Sequence, residues 1–251
     1  MPDVTDSIAE RLFRDAGITA GMRVLDVGCG MGNVSVLLAN LVGAGGQVVG
    51  IDRDAQALEM AREQMRQLSL PNVTFTQCDV AALPPDLGSF DAAVGRRVLM
   101  YVPDPVNALR RIAGTLKPGG IVAFVEHDAT MTPGHTTPMP LHDQVLAWTW
   151  QTVQREGGNI HIGFDLPHIF AEAGLPLAHL RAEAVIQTPD MPYRGAAIIR
   201  AMLPRILAHG VATEQEIDID TLEQRMEAER TKANATFISD MVFGAWARKP
   251  Q

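Results

Sequence analysis

The residues best suited to bind a ligand form a glycine-rich stretch, Gly28-Cys-Gly-Met-Gly32, which follows the apolar segment Val24–Val27. Glycines allow sharp backbone turns and let a ligand lie against the main chain. An apolar helix pattern, Val34–Val42, begins directly after the stretch, and a helix N-terminus offers free N–H groups to a carboxylate or phosphate. The arrangement predicts a binding loop for an anionic group, although an ordinary tight turn can show the same glycine pattern.

Carboxylates follow the next two predicted strands. Asp52 comes directly after the strand Gln47–Ile51, about 20 residues beyond the glycines, where it can accept hydrogen bonds from both hydroxyls of a ribose. Asp79 and Val80 follow the strand Val73–Gln77, where a carboxylate and a backbone N–H can contact an adenine edge. Because open α/β sheets bind ligands at the carboxyl ends of their strands, these groups predict a nucleoside-binding edge.

The elements that must position these residues alternate between strand and helix over residues 1–128, which predicts a parallel sheet covered by helices on both faces. The predicted strands are Val24–Val27, Gln47–Ile51, Val73–Gln77, Phe90–Val94, Ile121–Glu126, Leu180–Thr188 and Phe237–Ala247. The predicted helices are Val34–Val42, Asp54–Leu68, a helix from Asp104 to about Leu116 that Lys117-Pro-Gly-Gly closes, Leu141–Arg155, Leu166–Ala173, and 190–235 with breaks at Pro204 and Gly210.

Five segments resemble, in order and spacing, the successive motifs of class I S-adenosylmethionine-dependent methyltransferases: Val24–Gly32, Val48–Asp54, Gln77–Leu83, Ser89–Pro105 and Leu116–Glu126. The resemblance covers residues 8–128 and is strongest to the bacterial small-molecule group that includes the ubiquinone and menaquinone C-methyltransferases. It implies an α/β, Rossmann-like, doubly wound sheet of seven strands, mostly parallel with the last antiparallel. It also implies one domain over 1–251, with helical lid or acceptor-binding insertions at 130–165 and 190–235.

The resemblance further implies that S-adenosyl-L-methionine is the cofactor and that the glycine loop holds its methionine moiety through Gly28, Cys29, Gly30 and Gly32. Asp26 would support this loop or the cofactor's amino group. Arg96, after the fourth strand, would approach the methionine end through its backbone carbonyl. A purely loop-capping role for Asp26 stays open at this point.

At the nucleoside end, the resemblance implies that Asp52 binds the ribose, that Arg53 flanks the adenine, and that Asp79 and Val80 recognise it. Simpler roles are also open here. Arg53 can be a solvated side chain, and Asp79 can be a helix cap.

Methyl transfer from a sulfonium is an in-line displacement in which the protein chiefly supplies position. A base is needed only if the acceptor must lose a proton. His127 is the leading candidate, because the end of the fifth strand borders the acceptor pocket in this fold. The other candidates are Glu126, Asp128, His135, His142 and His161. A metal site at residues 126–128 is disfavoured because adjacent side chains on a strand point in different directions, so we expect no metal.

The segment Gly95–Pro103 lacks the Asn/Asp-Pro-Pro-aromatic signature of enzymes that methylate adenine bases or glutamine amides. This absence favours a small-molecule acceptor. Residues 130–165 and 190–235 are rich in apolar and aromatic side chains, which suits a hydrophobic or aromatic acceptor, although such residues are usually core. They include Met131, Met139, Leu146, Trp148, Trp150, Met191, Tyr193 and Met202.

Composition narrows the choice of partners. The net charge of −8 disfavours nucleic acid. The two cysteines, Cys29 and Cys78, have no metal-ligand spacing and suit a reducing compartment. The N-terminal residues do not resemble a signal peptide, and no apolar run approaches the ~20 residues of a membrane span. We therefore expect a cytoplasmic protein that does not bind membranes, and a homodimer stays open.

Two other functions are compatible with parts of the pattern. A relative of the same fold can bind S-adenosylmethionine yet catalyse a non-methylating reaction or act as a scaffold. A nicotinamide dehydrogenase is disfavoured, because Asn33 stands beyond Gly32 where the dinucleotide motif Gly-x-Gly-x-x-Gly requires its last glycine. Formation of S-adenosylhomocysteine separates the first alternative from a methyltransferase, and NADH binding tests the second.

Overall fold

The computed structural model describes residues 4–84, 87–132 and 134–251; Pro133, part of the predicted loop 130–140, lies outside them. Within these ranges seven strands form one sheet in the order β3-β2-β1-β4-β5-β7-β6, with β7 antiparallel. The strands are β1 Arg23–Val27, β2 Gln47–Asp52, β3 Val73–Gln77, β4 Phe90–Arg96, β5 Leu116–Asp128, β6 Leu177–Gln187 and β7 Phe237–Arg248. The predicted Rossmann-like, doubly wound sheet is confirmed.

Continuous apolar runs explain the centre of the sheet, since strands buried on both faces have no polar side to alternate with. Four of the five residues of β1 are buried, and β2 and β4 are similar. Val27 pairs in parallel with Ile51 on one side and with Gly95 on the other. The carboxyl ends of β1, β2 and β4 therefore lie side by side, which places the loops that follow them at one edge.

The helices of the described residues are α1 Val4–Ala16, α2 Asn33–Val42, α3 Ala55–Gln67, α4 Pro105–Gly114, α5 Pro140–Arg155, α6 Ile162–Glu172, α7 Gly195–Ala208, α8 Glu214–Ile217 and α9 Ile219–Ala233. Asp54 caps α3 by accepting the N–H groups of Gln56 and Ala57. Asp104 caps α4 in the same way through Asn107. None of the described helices is both long and apolar enough to cross a membrane.

The chain forms two compact units. Unit 1 comprises Met1–Glu126, Ile162–Ala182 and Phe243–Gln251, and unit 2 comprises His127–His161 and Glu183–Val242. Unit 1 holds β1 to β4, most of β5 and the helices α1 to α4 and α6. Within unit 2, the helices α5, α7 and α9 pack against one another.

Two prolines lie inside helices where the sequence predicted a helix boundary. Pro204 does not break α7, and α6 begins at Ile162 rather than at Leu166, with Pro167 inside it. A proline removes one backbone hydrogen bond from a helix. Burial of an apolar face offsets this cost: in α7 that face includes Ile199, Met202 and Ile206. The predicted break near Gly210 is confirmed, because α7 ends at Ala208.

The two ends of the parallel sheet region differ from the prediction. No element is predicted before Val24, yet α1 precedes it and buries Ile8, Leu12 and Phe13. The predicted helix-closing turn at Lys117 instead belongs to β5, which starts at Leu116, and α4 ends earlier at Gly114. The pairing of β4 with β5 shifts register between Phe90 and Ala92. This irregularity in the pairing accommodates the glycine-rich start of β5.

Candidate functional site

The glycine loop follows β1 in unit 1 and leads into α2. Gly28, Gly30 and Gly32 have φ values of +63°, +51° and +89°, which side-chain-bearing residues rarely adopt. A Cβ on Gly28 would lie 2.7 Å from Val98 Cγ2, so the loop packs closely at this point. A Cβ on Gly30 would meet no atom of the described residues within 4 Å. The loop is thus supported on one side and open beside Gly30.

Asp52 joins this loop to the end of β2. Its Oδ2 accepts the Gly30 N–H at 2.8 Å, and its Oδ1 accepts the Asp54 N–H at 2.9 Å. The Cys29 N–H donates to the Ile51 carbonyl at 2.9 Å. The structure therefore brings together Gly30 and Asp52, which the resemblance assigns to the methionine and ribose parts of one cofactor. Each carboxylate oxygen has a second lone pair, so both can still accept a hydroxyl.

The loop ends at a helix terminus that no side chain of the described residues caps: Gly32 is the N-cap residue of α2, which starts at Asn33. The first N–H groups of such a helix can bind a carboxylate. Cys29, inside the loop, is 7% exposed. Burial raises the pKa of its thiol, and the charges of Asp26 and Asp52 raise it further. Cys29 is therefore a protonated packing residue and not a nucleophile.

Asp26 is a buried carboxylate in β1. Its Oδ2 accepts a hydrogen bond from Ser35 Oγ at 2.6 Å, whereas its Oδ1 has no partner among the described residues. Burial raises the pKa of Asp26 to about 7; the Ser35 bond and Arg96 oppose this rise, and Asp52 adds to it. A carboxylate of this kind is stabilised in its charged form by a nearby cation, so the site fits a ligand with an ammonium group.

We expect Asp26→Asn to change how the free energy of unfolding depends on pH. Folded Asp26 keeps its proton up to about pH 7, whereas the unfolded chain releases it near 3.8. The wild-type protein therefore loses stability as pH rises between these values. Asparagine does not titrate and can still accept the Ser35 bond. The stability of the variant relative to wild type should therefore increase with pH up to about 7 and stay constant above that. Urea unfolding of both proteins from pH 4 to 8 measures the difference.

Asp91→Asn is the control with the opposite sign. Asp91 is partly buried, but bonds from the Arg23 N–H and from Lys117 outweigh that burial and lower its pKa. This variant should therefore lose stability relative to wild type as pH rises toward the unfolded-state pKa of 3.8 and show no further change above it, so its unfolding series begins below about pH 3. A stability difference between wild type and Asp26→Asn that does not vary with pH would contradict the role of burial at Asp26.

The residues expected at the adenine lie after β2 and β3. The Cys78 N–H donates to the Asp52 carbonyl at 3.0 Å, which holds the end of β3 beside that of β2. Asp79 is exposed, and its Oδ1 caps a short 3-10 turn, Val80–Ala82, by accepting the Ala81 N–H at 2.8 Å. Arg53 is exposed as well. The capping role left open for Asp79 is therefore present, and its proposed adenine contact stays a prediction.

Arg96 and Glu126 organise the segment after β4. Arg96 is ion-paired with Asp6 of α1 at 2.5 Å, so its side chain is engaged and only its backbone can have the predicted role. Glu126 Oε1 accepts the N–H groups of Val98 and Leu99 at 3.0 and 2.9 Å. Burial raises the pKa of Glu126 to about 7, although these backbone bonds oppose the rise. Glu126 therefore holds in place Val98, which packs against Gly28.

His127, the leading base candidate, lies in unit 2 at the end of β5. Its Nδ1 is paired with Asp240 Oδ2, and its Nε2 has no partner within the described residues. Asp128, the next residue, accepts the Thr130 N–H at 2.9 Å. His161 Nδ1 contacts Thr130 Oγ1 at 3.0 Å. Among the described residues, His127 thus combines a carboxylate partner at Nδ1 with a buried second nitrogen that has no hydrogen-bond partner.

The other two histidines have different surroundings. His135 Nε2 is bonded to Asp143 Oδ1 at 2.5 Å. His142 packs edge-on against Phe237 at 4.5 Å between ring centroids and lies 5.5 Å from Tyr193. Burial lowers the pKa of His142 to about 4, and His135 contributes in the same direction. His142 is therefore a neutral imidazole in an aromatic cluster.

Four residues that support these groups were not predicted from the sequence: Asp6, Ser35, Val98 and Asp240. Ser35 is the only one with a local signal, since it lies in the first turn of the helix that follows the glycine loop. The others act across the fold, from α1, from the segment after β4 and from β7, so no local pattern could have indicated them.

Comparisons with known proteins place the fold and the loop in a family. The model of a methyltransferase domain matches residues 18–174. A demethylmenaquinone methyltransferase of Staphylococcus aureus is 30% identical over 184 residues, which cover 69% of this chain and 76% of that protein. Another protein of that name and species is 36% identical over 124 residues, which cover 49% of this chain and 51% of its own length.

Solved structures share the fold. A structure assigned to a methyltransferase of Bacillus halodurans has a TM-score of 0.65 at 19% identity and covers 98% of this chain and 100% of its own. The [4+2]-cyclase SpnF has a TM-score of 0.60 at 21% identity, with 98% of this chain and 81% of its own covered. Since a cyclase shares this architecture, the fold alone does not define the reaction.

The fold and the family match define the class: this chain belongs to the class I S-adenosylmethionine-dependent methyltransferases. Its cofactor is S-adenosylmethionine, and the predicted resemblance to quinone C-methyltransferases is confirmed.

Proposed function

We propose that this protein transfers a methyl group from S-adenosylmethionine to a small hydrophobic, hydroxylated aromatic molecule by in-line displacement. The observation that carries the proposal is the glycine loop, open beside Gly30 and bonded to Asp52 at 2.8 Å, in a chain of the methyltransferase family. The names of the Staphylococcus aureus relatives support a quinone-related acceptor. The bound cofactor supplies an electrophilic methyl group on a sulfonium, and the protein supplies position and desolvation.

Unit 1 carries the groups proposed to hold the cofactor. The unpartnered Oδ1 of buried Asp26 suits its ammonium group, and the uncapped start of α2 suits its carboxylate. Asp52 keeps lone pairs for the ribose hydroxyls while it holds the Gly30 N–H. The proposed set is Asp26, Gly28, Cys29, Gly30, Gly32, Asp52, Arg53, Asp79, Val80 and Arg96.

His127 is proposed as the base for an acceptor that must lose a proton. It lies in unit 2 with Nδ1 engaged by Asp240, which leaves Nε2 to accept a proton. In the overall reaction the electron pair of the acceptor forms the new bond to the methyl carbon. S-adenosylmethionine would supply the methyl carbon and keep the electron pair of its S–CH3 bond on sulfur, and His127 Nε2 would take the acceptor's proton.

Residues 130–165 and 190–235 are proposed to bind the acceptor. Within unit 2 these ranges bury Met139, Trp148 and Met202, at 1%, 5% and 8% exposure, and they contain the aromatic cluster around Tyr193. Flexible methionines and aromatic rings suit a hydrophobic ring system. A homodimer and a cytoplasmic location stay predictions.

The test is acceptor-dependent formation of S-adenosylhomocysteine. We expect turnover with demethylmenaquinone or its short analogue 1,4-naphthoquinone in the reduced, hydroquinone state, and no turnover with oligonucleotides. On the same samples, hydrogen exchange in 130–165 and 190–235 should slow when the acceptor is added and not with the cofactor product alone. Cofactor binding without turnover across a panel of aromatic and aliphatic acceptors would contradict methyl transfer and favour a non-methylating relative.

A further inference from the structure

We infer that unit 2 carries a proton-accepting site for the hydroxyl group of an aromatic ligand, in which Asp240 is the positioning residue for His127. The site is formed by two neighbouring strands, because β5 and β7 are adjacent in the sheet and carry His127 and Asp240, respectively. The inference rests on the proposed function, since the ligand would be the methyl acceptor.

The two side chains form a pair in which the histidine is buried and the carboxylate is partly buried. His127 is 7% exposed and Asp240 22%, and Nδ1 of the histidine is bonded to Oδ2 of the carboxylate. A carboxylate beside Nδ1 favours the tautomer with the proton on that nitrogen. Nε2 then carries a lone pair and can accept a proton, and the carboxylate stabilises the imidazolium that results.

The pair is incomplete in one respect. His127 Nε2 and Asp240 Oδ1 are both buried, and neither has a hydrogen-bond partner in the part of the chain that the structure describes. Buried polar atoms are nearly always bonded to protein, water or ligand. A ligand hydroxyl at Nε2 would satisfy this atom. In the transfer, the ligand O–H bond breaks, its electron pair stays on oxygen, and the proton forms a bond to Nε2.

The surroundings favour an aromatic ligand. Asp240 interacts electrostatically with Tyr193, whose pKa is raised, chiefly by burial. Tyr193 stands edge-on to Phe237 at 5.3 Å between centroids, and Arg230 lies 5.4 Å from the Tyr193 ring. Tyr193 therefore connects Asp240 to an aromatic cluster, and rings of this kind pack well against another ring.

Two other histidine–carboxylate pairs in unit 2 are less suited. His135 is bonded to Asp143 through Nε2, and the Asp143 side chain is 39% exposed. His161 is 57% exposed and lies 3.7 Å from Asp128. The first of these pairs is nevertheless a matched control, because Asp143→Asn makes the same chemical change beside another histidine of the same unit.

The experiment compares wild type, Asp240→Asn and Asp143→Asn as full-length chains. The 15N signals of the imidazoles report the tautomer, and the spectrum of His127→Gln assigns those of His127. We expect the Nδ1–H tautomer in wild type, a shift toward Nε2–H in Asp240→Asn, and no change of His127 in Asp143→Asn. With 1,4-naphthohydroquinone under anaerobic conditions, kcat should fall roughly 100-fold or more in Asp240→Asn and in His127→Gln. In Asp240→Asn, KM and the Kd for S-adenosylmethionine should stay within about twofold, since this variant removes no group that contacts the acceptor or the cofactor.

The result that overturns the inference is a His127 tautomer that does not respond to Asp240→Asn, or a kcat of Asp240→Asn within about threefold of wild type. Matching thermal unfolding and near-UV circular dichroism exclude a general loss of structure, and His127→Gln provides a second variant if Asp240→Asn fails to fold. The NMR measurement needs no turnover. If wild type fails to methylate any acceptor, the proposed function is wrong, while the tautomer response still decides whether Asp240 positions His127.

Discussion

Gly30→Val should abolish binding of S-adenosylmethionine while most of the fold survives. Gly30 has φ of +51°, and a β-branched residue in this region is strained by about 1–3 kcal/mol. The added side chain would enter the open space beside the loop, where the structure places no described atom within 4 Å of the Cβ position. If the methionine moiety occupies that space, the valine methyl groups exclude it, and no heat of binding should be seen by calorimetric titration at concentrations that saturate wild type.

Gly21→Val separates strain from exclusion. Gly21 also has a left-handed φ, +84°, and a Cβ there would meet no described atom within 4 Å. It lies in the turn before β1, outside the loop. Both variants should lose comparable stability in urea unfolding, but only Gly30→Val should lose the cofactor. Gly30→Ala should give an intermediate affinity because the added group is smaller. Wild-type affinity in Gly30→Val would show that the loop does not hold the cofactor.

Asp52→Ala should weaken the binding of S-adenosylmethionine roughly 10- to 150-fold, which corresponds to about 1.5–3 kcal/mol for a hydrogen-bonding partner that is charged. Two effects combine in this variant. The proposed ribose contacts are lost, and the Gly30 N–H loses its acceptor at 2.8 Å, so the loop is held less firmly. The affinity of Asp52→Asn for S-adenosylmethionine should lie between those of wild type and Asp52→Ala, because its single amide oxygen can replace only one of the carboxylate oxygens.

Asp54→Ala is the matched control for this change. Asp54 lies two residues farther along and accepts the N–H groups of Gln56 and Ala57 at 2.8 and 3.2 Å as the cap of α3. Its loss should lower stability by about 0.5–2 kcal/mol without changing cofactor affinity. Calorimetric titration and urea unfolding of both variants test the pair. Equal affinities in Asp52→Ala and wild type would remove Asp52 from the site.

The local sequence pattern was sufficient to predict the parallel strands of the sheet. The strands around Val27, Ile51 and Gln77 were predicted to within a residue at their carboxyl ends, because buried strands appear as apolar runs that end at glycines or acids. The helices with prolines were predicted less well. Pro167 and Pro204 lie inside helices, where tertiary burial of an apolar face outweighs the local preference for a break.

The sequence by itself determined the class of protein and the order of the candidate cofactor groups. The reason is covalent: the loop residues are neighbours in the chain, and a parallel sheet places every strand end at one edge, so Gly30 and Asp52 had to lie close together. Only the tertiary structure decided the partners that come from distant strands and helices. Asp6 reaches Arg96 from α1, Glu126 accepts the N–H groups of Val98 and Leu99, and Asp240 pairs with His127 because β7 lies beside β5. Such contacts depend on strand order and burial, which cannot be predicted from the spacing of neighbouring residues in the sequence.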